Sequence, residues 1–279
     1  MITPQIKEFI RNALAEDIGH GDITTNSTID DASVSEAVVF AKETMVLAGI
    51  MMFKEVFDTL NQGVTVSILA YDGAVVQSGS KIASLTGKTA SLLIGERVAL
   101  NILQRLSGIA TLTSKFVGEV KGLGVKILDT RKTTPNMRQL EKYAVTVGGG
   151  SNHRFGLYDG MLIKDNHIKA CGGITRAVAR AKKNIPFLTK IEVEVQTLSE
   201  LNEALSCGVD AVMLDNMNIE QMKEAVGVVR SSGNNILIEA SGNVTLQNVR
   251  SIAETGVDVI STGFITHSAQ AVDISMKIL

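Results

Sequence analysis

The most restrictive feature of this chain is the alternation of short apolar strands with helices that begins after Gly124. Six apolar segments are each followed by a loop or a segment with helical character. Such alternation specifies parallel strands joined by helical crossovers. The predicted strands are Val125–Leu128, Met161–Ile163, Ile191–Val195, Ala211–Leu214, Ile236–Glu239 and Val259–Ser261. The predicted helices between them include Ile174–Lys183, Leu198–Ser206, Ile219–Ser231 and Leu246–Glu254.

Each of these strands ends in, or is followed by, a polar residue or a glycine. In strand order these residues are Asp129, Arg131, Lys164, Asp165, Glu194, Asp215, Glu239, Ser241, Thr262 and Gly263. A (β/α) barrel assembles its site from the C-terminal ends of all its strands, so the pattern favours a barrel. A doubly wound open sheet is the alternative, and it would bring only some of these residues together, at a topological switch point.

The part of the chain before Gly124 has an α+β pattern. Thr3 and Pro4 are suited to cap and begin an amphipathic helix that continues to about Asp17. A further helix is predicted at Ile50–Leu60. Strand-like segments surround it, at Ser35–Lys42, Val64–Ala70 and Lys81–Thr86.

A long helical pattern then runs from about Ala90 to Lys121. Glycine lowers helix propensity, so we expect the helix to be weakened at Ser107–Gly108. With 279 residues and 45% hydrophobic content, the chain is long enough for one large domain and a smaller one.

Cations concentrate in one part of an otherwise acidic chain. The segment from Lys126 to Lys169 contains eight Lys/Arg and four Asp/Glu, although the net charge of the whole chain is −2. Arg138 and Lys142, spaced four apart around Glu141, fit the solvated basic face of a helix. Four other cations lie beside glycines and turn residues, where side chains tend to converge on a ligand. These four, Arg131, Lys132, Arg154 and Lys164, predict one local site for an anion.

The last two predicted strands end in similar tetrads of small residues, each followed by a helix. They are ASGN (Ala240–Asn243) and STGF (Ser261–Phe264). Small residues let backbone N–H groups approach an anion, and the following helix N-terminus adds a favourable dipole. Because paired loops after the final barrel strands commonly bind phosphate, the two tetrads together predict a phosphate site.

Composition argues against several classes of function. The net charge is −2 and no Lys/Arg stripe is interleaved with aromatics, whereas nucleic-acid binding needs many phosphate contacts. Glu8, Glu16 and Asp17 interrupt the first apolar pattern, which therefore lacks the apolar region of a signal peptide, and no segment is apolar enough to span a bilayer. Cys171 and Cys207 lack CxxC spacing and predict structural thiols in a reducing cytosol. We therefore predict a cytoplasmic protein with no nucleic-acid or membrane partner.

A series of motifs, in order and over nearly the whole chain, resembles those of one family. The motifs are AEDIGHGDITT (Ala15–Thr25), ERVALNILQRLSGIAT (Glu96–Thr111), TRKT (Thr130–Thr133), GGGSNHRFGLYD (Gly148–Asp159), IKDNH (Ile163–His167), EVE (Glu192–Glu194), LDN (Leu214–Asn216), EASGN (Glu239–Asn243) and ISTGFITHSA (Ile260–Ala269). They resemble the motifs of quinolinate phosphoribosyltransferases, the carboxylating nicotinate-nucleotide pyrophosphorylases of the type II phosphoribosyltransferase family.

The resemblance implies a fold, an assembly and a reaction. The implied fold is an N-terminal α/β sandwich over residues 1–108, joined by a C-terminal helix at 268–279, and an incomplete α/β barrel of six or seven strands over residues 109–267. The implied assembly is a homodimer with sites between subunits, and higher oligomers stay open. The implied reaction joins quinolinate to 5-phosphoribosyl 1-diphosphate in the presence of Mg²⁺, giving nicotinate mononucleotide, pyrophosphate and CO₂.

The resemblance also implies roles for individual residues. The pyridine dicarboxylate and adjoining phosphates would be bound by Thr130, Arg131, Lys132, Thr133, His153, Arg154 and Lys164, with Arg97 reaching in from the neighbouring subunit. Glu194 and Asp215 would hold the ribose hydroxyls and Mg²⁺. The phosphate would be lined by Ser241, Gly242, Asn243, Thr262, Gly263 and Phe264. Of these residues, Lys132, Lys164, Glu194 and Asp215 are the candidates for a catalytic role.

Several of these residues have simpler interpretations. His153 could be a structural histidine that hydrogen-bonds its own loop. Lys164 could be a surface lysine or a Schiff-base nucleophile. Glu192 and Glu194 share a strand face, so one of them could pair with a cation such as Lys190 or Arg131. His20 and His267 are interpreted as structural or loop residues.

Two other functions stay open at this point. A related family with the same architecture is associated with molybdenum transport, although the intact TRKT, SNHR and IKDNH motifs favour the first family. A non-catalytic regulator that binds a phosphosugar is the second alternative. The full cation set argues against it, because phosphate binding alone does not require those residues.

Overall fold

The computed structural model describes residues 2–60, 63–233 and 235–279, which divide into two compact units. The first unit contains Met1–Ser114, Thr134–Gly149 and Ser268–Leu279, and the second contains Lys115–Thr133 and Gly150–His267. This division differs from the predicted domains in two places. The chain leaves the first unit at Ser114 and not at residue 108, and Thr134–Gly149 belongs to the first unit although we predicted it within the barrel.

The first unit contains a four-stranded antiparallel sheet and several helices, numbered in chain order. The helices are α1 (Pro4–Ile18), α2 (Ile23–Thr28), α3 (Ile50–Leu60), α4 (Thr89–Glu119), which ends in the second unit, and α5 (Arg138–Val147). The strands are β1 (Val34–Ala41), β2 (Met45–Val46), β3 (Thr65–Ile68), β4 (Val75–Val76), β5 (Lys81–Lys88) and β12 (Ile274–Ile278). The sheet has the order β12-β1-β5-β3, and β2 pairs with β4.

The predicted helices of this unit are present. Thr3 caps α1, because its Oγ1 accepts a hydrogen bond from the backbone N–H of Ile6 at 3.3 Å. Helix α4 continues through Gly108 without a break, so the expected weak point does not interrupt it. A Cβ at Gly108 would lie 2.0 Å from the carbonyl oxygen of Gln270, so glycine is needed there for a close approach of two segments.

The C-terminal segment is a strand, so the predicted helix at 268–279 is wrong. Strand β12 pairs with β1 in antiparallel register, with Ala37 opposite Ile278. Val272, Ile274 and Met276 are buried, whereas Lys277 is exposed. Alternate burial of this kind is the period of a strand with one face on a core. The segment does join the first unit, as expected.

Helix α5 is not a solvated basic face, contrary to our expectation. Glu141 and Lys142 are both fully buried. Arg105 donates to Glu141 Oε1 from Nε at 3.1 Å and from Nη2 at 2.8 Å, and Thr134 N–H donates to Glu141 Oε2 at 3.1 Å. The carboxylate can be buried because these donors compensate its charge.

The second unit contains six parallel strands connected mainly by helices. The strands are β6 (Lys126–Leu128), β7 (Met161–Ile163), β8 (Ile191–Val195), β9 (Ala211–Asp215), β10 (Leu237–Ser241) and β11 (Val259–Ser261). The helices are α6 (Asp165–Cys171), α7 (Ile174–Asn184), α8 (Leu198–Ser206), α9 (Ile219–Ser231), α10 (Val249–Ala253) and α11 (Phe264–His267). All six predicted strands and all four predicted helices are confirmed; five of these ten elements have the predicted bounds, and the ends of the others differ by at most three residues.

The order of the strands decides between the two predicted architectures. It runs β7-β8-β9-β10-β11-β6, so each strand from β8 to β11 lies beside its predecessor in the chain, and the first strand, β6, lies beside the last, β11. A doubly wound sheet reverses direction at a switch point, and this order has no reversal. Within the described residues β6 and β7 do not pair with each other, so the sheet is an open, barrel-like one of six strands, as predicted.

Parallel strands place all their C-terminal ends at the same edge. This edge therefore collects Asp129 after β6, Lys164 after β7, Asp215 at the end of β9, Ser241 at the end of β10 and Thr262 after β11. No helix among the described residues is both long enough and apolar enough to cross a membrane.

Candidate active site

A cavity of about 730 Å³ lies at the C-terminal edge of the six strands. Of the sixteen residues predicted from the sequence, thirteen line it: Thr130, Arg131, Lys132, His153, Arg154, Lys164, Asp215, Ser241, Gly242, Asn243, Thr262, Gly263 and Phe264. The structure therefore brings together the cation-rich segments and both small-residue tetrads. The three remaining residues are Arg97, Thr133 and Glu194.

These three residues do not line the cavity. Glu194 is nearly buried and its Oε2 lies 3.2 Å from Nζ of Lys164, which does line the cavity. Thr133 directly follows the cavity residues Arg131 and Lys132, and its N–H donates to the carbonyl of Arg131 at 3.0 Å. Arg97 is an exposed residue of α4 in the first unit and does not line the cavity.

The cationic side of the cavity is formed partly by Arg131 and Arg154. Arg154 is held in place because its Nη1 donates to the carbonyl of Gly160 at 2.9 Å. Burial lowers the pKa of the Arg154 guanidinium, and the like charge of Arg131 lowers it further. Two cations held this close repel each other, so an anionic ligand between them would relieve an electrostatic cost.

The turn that carries Lys132 is fixed by hydrogen bonds of its backbone. Lys132 N–H donates to Thr130 Oγ1 at 3.0 Å, and Thr266 Oγ1 donates to the carbonyl of Lys132 at 2.8 Å. A Cβ at Gly263 would lie 2.7 Å from Cδ of Lys132. Glycine in the second tetrad therefore lets the Lys132 side chain pass close to the loop predicted to bind phosphate.

Asp129 fixes the loop that carries His153 and Arg154. It is fully buried. Its Oδ1 accepts from the backbone N–H of His153 at 2.9 Å, and its Oδ2 accepts from Asn152 Nδ2 at 2.5 Å. Ser151, just before them, forms an isolated parallel bridge with the end of β6. The loop is thus attached to the edge of the sheet at two places.

His153 lies between two carboxylates that the sequence did not place there, the partly buried Glu192 and the buried Glu239. Its Nε2 is 3.3 Å from Glu192 Oε2 and 3.3 Å from Glu239 Oε2. One of the two glutamates does pair with a cation, as expected: Glu194 pairs with Lys164, which was not among the suggested examples, and Glu192 pairs with His153. Burial raises the pKa of Glu192, the hydrogen bond from His153 opposes this rise, and the charge of Glu239 adds to it.

The backbone N–H of Arg154 decides the protonation of His153. It donates to His153 Nδ1 at 2.6 Å, which requires an unprotonated nitrogen at that position. Burial lowers the pKa of His153, but hydrogen bonds to Glu192 and Glu239 outweigh burial and would raise it to about 10 if Nδ1 were free to take a proton. In this geometry the ring is neutral, with its proton on Nε2 facing the two carboxylates.

This arrangement does not favour a metal ion between the three residues. Ligand atoms of His153, Glu192 and Glu239 lie within 4.8 Å of one another, a spacing that could suit a metal ion. Nε2, however, carries the proton and has no lone pair for coordination while Nδ1 accepts from Arg154.

The oxygens predicted to bind Mg²⁺ are better suited. Asp215 lines the cavity, and its Oδ2 accepts from Asn216 Nδ2 at 2.9 Å and from Gln196 Nε2 at 3.3 Å. Mg²⁺ is usually held by one or two carboxylates together with substrate phosphates. Asp215 and the nearly buried Glu194 supply oxygens of this kind at the ends of neighbouring strands, so the residues fit the ion.

The first tetrad has a backbone conformation that favours glycine and asparagine. Gly242 has φ +91°, and a Cβ there would lie 2.2 Å from Asn216 Oδ1. Asn216 and Asn243 have φ of 55° and 47°, and Asn243 Nδ2 donates to Asn216 Oδ1 at 3.0 Å. Asn216 thus connects the predicted phosphate loop to the carboxylate of Asp215.

Two further functional candidates lie at this edge that were not predicted from the sequence, His267 and Asn216. His267 was interpreted as a structural or loop residue, but it lines the cavity and its ring centroid lies 6.3 Å from that of Phe264. The spacing of three residues after Phe264 on the helix that follows a strand could have indicated it. Asn216 lies in the LDN motif and lines the cavity as well.

A second cavity, between α8 and α9, lacks these features. Glu224 is the ionisable residue among its described lining side chains, which include Asn202, Leu205 and Val228. Without a cation this cavity offers nothing to bind a polyanion.

Comparison with known proteins agrees with the architecture and the motifs. The N-terminal domain of quinolinate phosphoribosyl transferase matches residues 22–107, and its C-terminal domain matches residues 109–277. A probable carboxylating nicotinate-nucleotide pyrophosphorylase of Bacillus subtilis (strain 168) is 45% identical over 274 residues, covering 98% of this chain and 93% of that protein.

Solved structures match equally well. NadC from Streptococcus pyogenes is 42% identical, with a TM-score of 0.94 over 100% of this chain and 98% of that one. Nicotinate-nucleotide pyrophosphorylase from Ehrlichia chaffeensis is 45% identical, with a TM-score of 0.93 over 98% of each chain. With both family domains matched in order over most of its length, the chain belongs to the quinolinate phosphoribosyltransferase family.

Proposed function

We propose that the chain transfers the phosphoribosyl group of 5-phosphoribosyl 1-diphosphate to quinolinate and removes one carboxylate as CO₂. The products are nicotinate mononucleotide, pyrophosphate and CO₂, in a step of de novo NAD biosynthesis. The observation that carries this proposal is that one cavity is lined both by the predicted cations and by residues of both small-residue tetrads. Membership of the family supports the choice of substrates.

The cationic side suits a pyridine dicarboxylate. Quinolinate is a dianion, so binding it needs several cations with geometry fixed in advance. Arg131 and Arg154 repel each other in the absence of an anion, and a carboxylate between them would remove that repulsion. Lys164 forms an ion pair with Glu194 at 3.2 Å and is therefore not the free amine that Schiff-base chemistry needs.

We assign the transfer step to positioning and charge stabilisation. As pyrophosphate leaves and the pyridine nitrogen approaches C1 of the ribose, positive charge develops on the sugar. Asp215 lies at the cavity with its carboxylate oriented by Asn216 and Gln196, and it would hold the ribose together with Glu194. Bringing the two substrates together in a fixed geometry supplies much of the acceleration.

Decarboxylation follows from the product of the transfer. Once the ring nitrogen is alkylated, the ring is cationic. The bond from C2 to its carboxylate can then break, because the electron pair stays on the carbon beside the positive nitrogen until a proton replaces CO₂. The role of the chain is to hold the 2-carboxylate in place, and Lys132 and Lys164 are the candidate catalytic lysines at the cavity.

We propose that Glu194 and Asp215 hold Mg²⁺ together with the diphosphate of the donor. When bound, Mg²⁺ neutralises charge on that diphosphate. The amides of Asn216 and Gln196 restrict the orientation of Asp215, and Lys164 partly neutralises Glu194. This set suits an ion that arrives with the donor.

We propose a homodimer in which Arg97 completes the site of the partner subunit. Arg97 is exposed on α4 and does not line the cavity of its own chain, so a twofold interface is a direct way for it to reach substrate. The cytoplasmic location stays a prediction from the sequence, and higher oligomers stay open.

One assay tests the proposed function. The protein is incubated with quinolinate, 5-phosphoribosyl 1-diphosphate and Mg²⁺, and CO₂ and the mononucleotide are followed together. We expect one CO₂ for each mononucleotide, and loss of both products in Lys132→Ala. Absence of turnover with a folded dimer at saturating substrates would refute the proposal.

A further inference from the structure

One amide side chain bridges the loops that follow β9 and β10. Asn216 Nδ2 donates to Asp215 Oδ2 at 2.9 Å, and Asn216 Oδ1 accepts from Asn243 Nδ2 at 3.0 Å. The backbone N–H of Asn216 also donates to the carbonyl of Ser241 at 3.0 Å. The carboxylate predicted to hold the ribose and the loop predicted to bind phosphate are therefore joined through Asn216.

The two neighbours fix the orientation of this amide. An ionised carboxylate only accepts hydrogen bonds, so the atom of Asn216 that faces Asp215 has to be Nδ2. The other atom, Oδ1, then faces the amide of Asn243, which donates to it. A side chain in this place must donate on one side and accept on the other, and a short amide does both.

The backbone at this place admits few other residues. Asn216 has φ of 55°, and asparagine is one of the few residues other than glycine that tolerate the left-handed region. Gly242 has φ +91°, and a Cβ there would lie 2.2 Å from Asn216 Oδ1. The amide of Asn216 thus occupies space that a side chain at position 242 would fill, so the bridge constrains both positions.

The bridge is held from both sides. Gln196 Nε2 donates at 3.3 Å to the same oxygen of Asp215, Oδ2, so two amides restrict the orientation of the carboxylate. On the other side, Asn248 Nδ2 donates to the carbonyl of Asn243 at 3.0 Å. A displacement of either loop would therefore be transmitted to the other loop through Asn216.

We propose that Asn216 is a positioning residue that fixes the phosphate site and the ribose site of the donor at one spacing. It acts through Asp215 and Asn243. Asp215 and Ser241 lie in register at the ends of neighbouring strands, which are about 5 Å apart. A small sugar that carries both a phosphate and hydroxyls can reach both loops, whereas a free phosphate reaches one of them.

This inference rests on the proposed function, because it takes the ligand of the two loops to be a phosphoribosyl compound. Its physical basis is preorganisation. Loops that are joined before the donor binds do not have to be ordered during binding, so less of the interaction energy is lost.

The bridge should be visible in binding measurements. Two residues that act through each other have non-additive effects, whereas independent contacts add to within about twofold in affinity. If Asn216 acts through Asp215, loss of its amide weakens binding only while the carboxylate of Asp215 is present. If Asn216 bound the donor by itself, its loss would weaken binding equally with and without that carboxylate.

A double-mutant cycle on donor affinity makes this test. Titration calorimetry measures the Kd of 5-phosphoribosyl 1-diphosphate with Mg²⁺ for the wild-type protein, Asn216→Gly, Asp215→Ala and the double variant. Glycine keeps the left-handed backbone and removes the amide. We expect Asn216→Gly to weaken binding about tenfold or more in the wild-type background. The same change should cost less than about twofold when residue 215 is already alanine.

Asn136→Gly is the matched control. Asn136 has φ of 64° and does not line the cavity, so the same substitution in a similar backbone conformation should leave donor affinity unchanged. The KM for quinolinate at saturating donor is a second control, and in Asn216→Gly it should change by less than about twofold. General damage to the cavity would instead raise the KM for both substrates.

A second cycle tests the bridge from its two ends. Asn243→Gly keeps a left-handed backbone, since φ is 47°, and removes the donor to Asn216. Paired with Asn216→Gly, it replaces the first cycle if Asp215→Ala binds the donor too weakly to measure. Paired with Asp215→Ala, it replaces the first cycle if Asn216→Gly does not fold.

The outcomes separate the inference from the proposed function. Non-additive losses in the cycle that can be measured would support the bridge. Losses that add to within about twofold would overturn the inference and leave the proposed function intact. A wild-type protein that does not bind the donor at all would instead contradict the proposed function.

Discussion

Nζ of Lys164 lies 3.2 Å from Oε2 of Glu194, and this ion pair joins the ends of neighbouring strands β7 and β8. A cation predicted to bind one substrate is thus held by a carboxylate predicted to serve the other. The pair couples the dicarboxylate side of the cavity to the side that would hold ribose and Mg²⁺.

This pair gives an asymmetric prediction for Glu194→Gln. Loss of the carboxylate should weaken the response to Mg²⁺ and to the phosphoribosyl donor by on the order of tenfold or more. Quinolinate binding should be kept or improved, because Lys164 is then free to face the substrate. Initial rates with each substrate varied in turn measure the difference. Asp215→Ala should resemble it for Mg²⁺ and the donor, and equal losses for both substrates would contradict the model.

Substitution of the cavity cations should separate activity from stability. Arg154→Ala and Lys132→Ala should lower activity by orders of magnitude, because each removes a charge that binds or stabilises an anion. Their melting temperatures should stay nearly unchanged or rise, since clustered like charges in an empty site repel one another. Thermal melts beside single-turnover rates make the test. A variant that melts much earlier while its folded fraction keeps full activity would show a structural role.

The buried pair of Arg105 and Glu141 should have the opposite signature. Glu141→Ala leaves Arg105 without its buried partner, and breaking such a pair costs about 3–5 kcal/mol of unfolding free energy. Glu220→Ala is the matched control, because Glu220 and Lys223 form an exposed pair whose loss should change stability by less than about 1 kcal/mol. Denaturant unfolding of the three proteins gives both values. Equal stabilities would mean that the pair contributes nothing.

The position of Arg97 predicts complementation between two inactive variants. Arg97→Ala and Lys164→Ala should each be nearly inactive alone. After subunit exchange, each heterodimer should contain one site with both defects and one with neither, so activity should recover toward roughly a quarter of the wild-type value. Heterodimers shown by mass spectrometry without any recovery would mean that Arg97 does not act across an interface.

The barrel strands could be predicted from the sequence because each is a short apolar run that ends in a polar residue. The C-terminal strand was missed because Val272, Ile274 and Met276 form a period-two pattern too short to separate from a helix without its partner β1. The same limit applied to α5. Its buried Glu141 and Lys142 look like surface charges in the sequence, and only the donors around Glu141 show why a carboxylate is buried there.

The cavity was predictable where residues follow strands directly. Arg131, Lys164, Asp215 and Ser241 all lie at one edge because parallel strands share their direction. The pairings were not predictable, because they depend on distances across the sheet. Glu239 is 86 residues from His153 in the sequence, yet Oε2 of Glu239 lies 3.3 Å from Nε2 of His153.

If the cations of this cavity select a second carboxylate, the ratio of two specificity constants will show it. Nicotinate lacks the 2-carboxylate of quinolinate, so it should lose roughly 2–5 kcal/mol of productive binding, about thirtyfold to several thousandfold in kcat/KM. The measurement is mononucleotide formation from each acid at fixed 5-phosphoribosyl 1-diphosphate and Mg²⁺. We predict a strong preference for quinolinate, whereas comparable constants for the two acids would mean that the cations do not bind the 2-carboxylate.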